Sequence, residues 1–167
     1  MGTGGLFLRK IRASVSDRPT GFTWVEEGKV AASGYPASIN QLKWISKQGI
    51  NSVLTLTEYP IPVEWVTGLP LTTFHVPMKD HEPPSPENLE EAVAIVRDGV
   101  LSGKRVLVHC LAGQGRTMCV LAGYLIVERG IGPDEAIGQL REKRPGAVET
   151  GQENSVREFA RKRSSRP

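Results

Sequence analysis

The residues with the clearest chemical potential are Cys110 and Arg116, separated by the five residues LAGQG within the stretch RVLVHCLAGQGRTMCV. Arg105 to His109 is a run of mostly β-forming residues, and from Arg116 onward the apolar pattern is helical through Glu128. This order predicts a strand, a tight glycine-containing loop and a helix. Such a loop turns successive backbone N–H groups inward, with the positive end of the helix behind them, and suits a tetrahedral oxyanion. Cys110 stands at the floor of that cradle and Arg116 at its rim. The helix end and the guanidinium both favour a thiolate at Cys110. Arg116 can hold two oxygens of the anion in a planar fork. A nucleophile and an anion clamp therefore meet in one loop. A core cysteine followed by a surface arginine would explain either half alone, but not the two with glycines between them.

A second informative stretch is PMKDHEPPSP, residues 77–86. Its prolines stiffen a long excursion and keep it from becoming helix. Asp80 projects from that arm and can reach over a bound anion. His81 beside it reads either as a substrate-side group or as an exposed bystander. Glu58 follows the strand expected over residues 50–57. In an open α/β sheet, ligands gather beyond the carboxyl ends of the strands. Glu58 is thus at the correct end to orient Arg116 through a charged hydrogen bond, with a solvated turn glutamate as the alternative.

With these residues in view, VHCLAGQGRT resembles the HCxxGxxR[ST] signature of cysteine-dependent protein phosphatases. The chain is most similar to the small atypical dual-specificity phosphatases, and FxWVxxGxVAxSGYP near its start resembles their opening. The likeness covers about residues 22–160. It implies His109 before the nucleophile Cys110, and a phosphate loop of Leu111, Ala112, Gly113, Gln114, Gly115 and Arg116. It also implies Thr117 as a hydroxyl that assists the sulfur, Asp80 as general acid, and Gln152 as the residue that positions water. The segment carrying Gln152 is one residue shorter than in similar chains. Met118 and Cys119 stand where small residues are common. Cys119 reads as a structural thiol, since a disulfide with Cys110 requires both ends within bridging distance.

The elements that must position these residues follow from the rest of the chain. Its 167 residues and 39% apolar content fit one domain with one core. Strands are expected near residues 22–25, 29–32, 50–57, 71–76 and 105–109. Helices are expected near 38–47, after Ser85 or Pro86 with Ser85 as cap, from Arg116, and from Pro133, with a last helix ahead of the tail. Residues 60–70 read as a loop carrying Trp65. The fold class is α/β: a single domain with a central, mostly parallel sheet flanked by helices, the phosphatase fold. Residues 1–21 form a basic N-terminal arm with a short apolar anchor at Leu6 to Leu8, and residues 161–167 a basic, frayed C-terminal tail.

A net charge of +3 suits anionic substrates without demanding nucleic acid. Two cysteines argue against a disulfide scaffold, and no apolar run reaches membrane-spanning length. The N-terminus lacks the hydrophobic core of a signal peptide. A soluble, cytoplasmic, reducing setting is expected. No metal site and no cofactor are expected, because no His/Cys/Asp/Glu cluster has ligand spacing. Phosphorylated proteins are the expected partners, with no stable nucleic-acid or membrane partner, and the oligomeric state is not legible.

The loop interior holds no lysine or arginine. Similar phosphatases acting on inositol lipids often carry basic residues there, and those acting on RNA 5′-triphosphates have an Asn before the Arg. Phosphotyrosine is thus the favoured substrate, with phosphoserine and phosphothreonine also admitted. The alternatives are a phosphoinositide or RNA 5′-phosphatase, or a non-catalytic phosphoprotein-binding module. A rhodanese-like sulfurtransferase would need neither Asp80 nor Thr117, and an arsenate reductase or low-molecular-weight type phosphatase would place its cysteine loop before its acid.

Overall fold

Alternation along short strands sets the architecture. The computed structural model describes residues 16–166. Strands β1 (Thr23–Glu26), β2 (Val30–Ser33), β3 (Ser52–Thr55), β4 (Thr72–His75) and β5 (Val106–His109) form one sheet in the order β1-β2-β5-β3-β4. Only the β1–β2 hairpin is antiparallel, and the other three pairings are parallel. The expected mostly parallel sheet is therefore present. In register, Ser33, His109, Thr55 and His75 make one row across its carboxyl edge.

Successive side chains of a strand point to opposite faces. Val30, Ala32, Leu54, Val106 and Val108 face a large core, while Ala31, Val53 and Leu107 face a smaller one. Over the large core lie α3 (Pro86–Leu101), α4 (Arg116–Arg129), α5 (Pro133–Lys143) and α6 (Glu153–Ser164). The smaller core is covered by α1 (Ile39–Lys47), which contributes Leu42 and Ile45, and by the single-turn helix α2 (Val63–Val66), whose Trp65 packs against it. Residues 63–66, expected within a loop, are thus helical, and Trp65 covers core rather than a cleft. Phe22 is clasped edge-on by Trp24 and Trp44, at ring separations of 5.6 and 4.9 Å.

Helix α4 is buried over ten consecutive residues, Arg116 to Leu125, because α3, α5 and α6 enclose it against the sheet. Gly123 allows this, since a Cβ there would stand 2.7 Å from Val93 Cγ2. Helix α3 begins as expected, with Ser85 Oγ accepting the Asn88 N–H at 3.1 Å and Pro86 in the first turn.

Residues 16–21 are bound to the domain. Gln41 Nε2 donates to the Ser16 carbonyl, Gly34 N–H to that of Thr20, and the Arg18 guanidinium lies over the rings of Phe22 and Trp44. The rest of the basic arm, including the Leu6 to Leu8 anchor, lies outside the described residues. At the other end, the tail expected to fray from 161 is helical to Ser164. Arg163 and Arg166 both reach Glu90, and Arg163 stacks on Phe159. Among the described residues no helix is long and apolar enough to cross a membrane.

Candidate active site

Strand β5 is central and buried on both faces, and it delivers Cys110 at the carboxyl edge, where the chain turns into α4. The loop 110–115 is held from outside through its carbonyls. Tyr35 N–H donates to Leu111 O, Arg144 to Ala112 O, Val148 N–H to Gln114 O and Cys119 N–H to Gly115 O. With the carbonyls turned outward, the amide N–H groups of Leu111, Ala112, Gln114, Gly115 and Arg116 are not spent on other described residues. The one loop amide that is engaged, Gly113 N–H, donates to Cys110 Sγ at 3.2 Å. Gly113 has φ +71, and a Cβ there would drive into the Ser33 carbonyl, so only glycine fits.

Arg116 is 1% exposed. Its NH2 lies 2.8 Å from Asp80 Oδ1, and its NH1 donates to the Met78 carbonyl at 2.9 Å and to Glu58 Oε2 at 3.3 Å. Its Nε is buried without a hydrogen-bond partner among the described residues. A buried charged donor left unpaired is costly, and a tetrahedral anion above the loop would satisfy it. Glu58 holds both sides of this arrangement, since its other oxygen accepts Asp80 N–H at 2.8 Å. Its own backbone N–H, that of Asp80 and the Arg116 guanidinium hold its carboxyl below the usual range.

His109 is fully buried. Burial pushes its imidazole down to about 4, so the ring is neutral at pH 7. Its Nδ1 contacts the Cys110 carbonyl at 3.2 Å and its Nε2 contacts Thr55 Oγ1 at 2.8 Å. A carbonyl only accepts, so the proton resides on Nδ1 and the Thr55 hydroxyl donates to Nε2. His109 thereby ties the start of the loop to β3.

The remaining expected residues divide. Gln152 is buried beside the loop, where its Oε1 accepts from Glu149 N–H at 3.2 Å and from the Cys119 thiol at 3.7 Å, and its Nε2 donates to the Glu82 carbonyl at 3.0 Å. It links the Asp80 excursion to the segment ahead of α6. The Thr117 hydroxyl is buried and has no hydrogen-bond partner among the described residues, Cys110 Sγ included. Cys119 is wholly buried, and burial pushes its thiol up to about 12, which keeps it protonated at neutral pH. Leu111 and Ala112 are exposed at the mouth.

Two participants carried no sequence signal, the Met78 carbonyl and Glu149. Glu149 lies beside Gly115 and contacts His81 Nδ1 at 3.1 Å. Both are brought in by the fold rather than by spacing. Among the described residues, no group of three or more His, Cys, Asp or Glu side chains could hold a metal ion.

A family model described as "Swiss Army Knife protein, DSP-PTPase phosphatase domain" matches residues 19–157. The chain is 30% identical over 125 residues to phosphatidylglycerophosphate phosphatase PTPMT2 of Arabidopsis thaliana, covering 72% of this chain and 55% of that protein. It is 31% identical over 74 residues to dual specificity protein phosphatase 22-B of Danio rerio, covering 44% and 40%. The matches with such curated relatives span about half of their length or less. Among solved structures, Tk-PTP in its active form superposes with a TM-score of 0.76 at 32% identity, covering 84% of this chain and 96% of that one.

Proposed function

The chain belongs to the DSP-PTPase phosphatase domain family, and on that premise we propose that it hydrolyses phosphomonoesters of proteins, phosphotyrosine first, through a cysteinyl-phosphate intermediate. The observation that carries this reading is the buried Arg116 guanidinium. Its Nε is unpartnered among the described residues and its NH2 lies 2.8 Å from Asp80 Oδ1. On this reading Cys110 is the nucleophile, Arg116 the anion clamp and Asp80 the acid, and the Arg116–Asp80 contact supports it.

In the first step the Cys110 thiolate attacks phosphorus in line, so the S–P bond forms as the P–O bond to the leaving group breaks. The loop N–H groups and Arg116 hold the equatorial oxygens, where charge persists through transfer. Asp80 gives its proton to the departing phenolate or alkoxide. In the second step water attacks phosphorus, Asp80 takes its proton, and the S–P bond breaks to return the thiolate and phosphate. On this reading Gln152, buried beside the loop, would position the water, and the unpartnered Thr117 hydroxyl would assist the sulfur. Guanidinium and backbone donors supply the charge stabilisation, so no step calls on a metal. A pure phosphoprotein-binding module would need neither Cys110 nor Asp80.

Phosphotyrosine is favoured because Leu111, Ala112 and Gln114 bring no positive charge to the loop, whereas a polyphosphorylated headgroup would need it. A lipid phosphomonoester is the second reading, favoured by the identity to phosphatidylglycerophosphate phosphatase PTPMT2. Hydrolysis of a small aryl phosphate in the presence of EDTA and a thiol reductant tests the reaction. Loss of activity with EDTA, or absence of turnover, overturns it. Comparison of phosphotyrosine and phosphothreonine peptides, phosphatidylglycerophosphate, phosphoinositides and 5′-triphosphorylated RNA tests the substrate. A large kcat/KM advantage for lipid or RNA reverses the preference.

A further inference from the structure

The Asp80 excursion, residues 77–84, leaves the exposed edge strand β4 and crosses to the segment 145–152, which precedes α6. It has little core of its own, since only Met78 and Pro84 of these residues are buried. Side-chain contacts must therefore decide where Asp80 sits. One of them is unexplained by the reaction as described. His81 takes a left-handed backbone conformation, φ +60, which costs a non-glycine residue energy unless contacts repay it. In that conformation its N–H donates to Asp80 Oδ1 at 3.1 Å, and its ring stands between two carboxylates. Nδ1 is 3.1 Å from Glu149 Oε2 and Nε2 is 3.5 Å from Asp80 Oδ2.

We propose that His81 and Glu149 form a clasp whose role is to position Asp80 over the phosphate loop, the imidazolium bridging the acid excursion to the segment ahead of α6. This rests on the phosphatase reading, because it gives Asp80 the role of acid. His81 is a positioning residue that acts through Asp80. Glu149 is its anchor, held in turn by its own N–H to Gln152 Oε1.

The charges around the ring agree. From its own excursion His81 meets Asp80, with Lys79 and Glu82 paired to each other at 3.9 Å. From the segment ahead of α6 it meets Glu149, and from the start of α4 it feels Arg116. Glu58 lies one step further, on Asp80 N–H. The hydrogen bond that Nδ1–H donates to Glu149 and the negative charges of Asp80 and Glu149 raise the ring above its usual 6.5, against the opposing Arg116. The clasp is thus complete below about pH 6.5 and is lost as pH rises through the raised value. With 77% of the side chain exposed, the contact is partly screened and its effect on rate is modest.

The test uses His81→Asn, which tolerates φ +60 but cannot be charged, and Glu149→Gln, in the full chain. Proton NMR should place the His81 titration above 6.5 in the wild type and move it toward 6.5 in Glu149→Gln. With a phosphotyrosine peptide, His81→Asn should lower kcat about three- to fivefold with KM nearly unchanged. The loss should vanish for an aryl phosphate with a strongly acidic phenol, and it should vanish in an Asp80→Asn background, where there is no acid left to position. Vanadate affinity should be unaltered. A His81→Asn loss that is equal for all leaving groups, or that adds fully to Asp80→Asn, overturns the proposal. So does an unmoved His81 titration in Glu149→Gln, while the phosphatase reading stands. A wild type with no phosphomonoesterase activity overturns both.

Discussion

The two halves of the site are built in opposite ways. The loop of Cys110 and Arg116 joins the central strand β5 to the most buried helix, α4. Main-chain hydrogen bonds from two other segments, at Tyr35 and Val148, and from the first turn of α4, at Cys119, hold its carbonyls. The Asp80 excursion leaves the edge strand β4, whose Thr72, Thr73 and Phe74 are exposed, and it is held largely through side chains: Glu58, Arg116, Glu149 and Gln152. A group that must bind charge without reorganising belongs on a scaffold that cannot relax. A group that must give a proton, take one back and let product leave can be carried by polar contacts of low individual strength.

The sharpest way to break this contrast is at the loop itself. Cys110→Ser should abolish turnover while vanadate still binds, since serine supplies no accessible anionic nucleophile but leaves the cradle intact. Arg116→Ala should lose both. A phosphoenzyme trapped on any residue other than Cys110 would contradict the assignment.

At the excursion the loss should be smaller and should depend on the leaving group. Asp80→Asn is expected to cost roughly 10²–10⁴ in kcat for phosphotyrosine peptides and far less for acidic phenols, with oxyanion binding kept. If Glu82→Gln collapses the rate while Asp80→Asn does not, the acid is Glu82.

The rigidity of the loop side can be read from its pH dependence. The His109 imidazole is held down to about 4 by burial, so between about pH 6.5 and 4 the unfolded chain binds a proton that the folded one refuses. Stability should be full above about 6.5 and fall as the pH drops across that window, by on the order of 3 kcal/mol, levelling near 4. Urea unfolding at a series of pH values would measure it, and His109→Asn should flatten the curve there.

The smallest effect is expected at Cys119→Ser. A serine hydroxyl can take over the donation to Gln152 Oε1, so kcat should stay within a few-fold, with a stability loss of about 1 kcal/mol from the altered packing. A collapse of activity would mean that Cys119 belongs to the reacting part of the loop.

Legibility followed the same division. The stretch 105–120 could be read locally because strand, glycine loop and helix are consecutive, and the observed β5 and α4 begin and end close to the expected positions. The α3 cap at Ser85 was legible for the same reason. The single turn Val63–Val66 was not, because its four residues are too few to show a period. The helical run through Ser164 was also hidden, because a basic tail reads as solvated until Glu90 and Phe159 are brought beneath it.

By itself the sequence determined the strand–loop–helix unit of Cys110 and Arg116, the alternation that builds the sheet and the helix order, since each depends on neighbours a few residues apart. Only the tertiary structure decided which carboxylates serve Arg116 and what holds them. Glu58 is 58 positions from Arg116 and His81 is 68 from Glu149. No periodicity spans such distances: Glu58 meets Arg116 because the parallel strands β3 and β5 end in register at a common edge, and His81 meets Glu149 because the excursion after β4 reaches the segment ahead of α6.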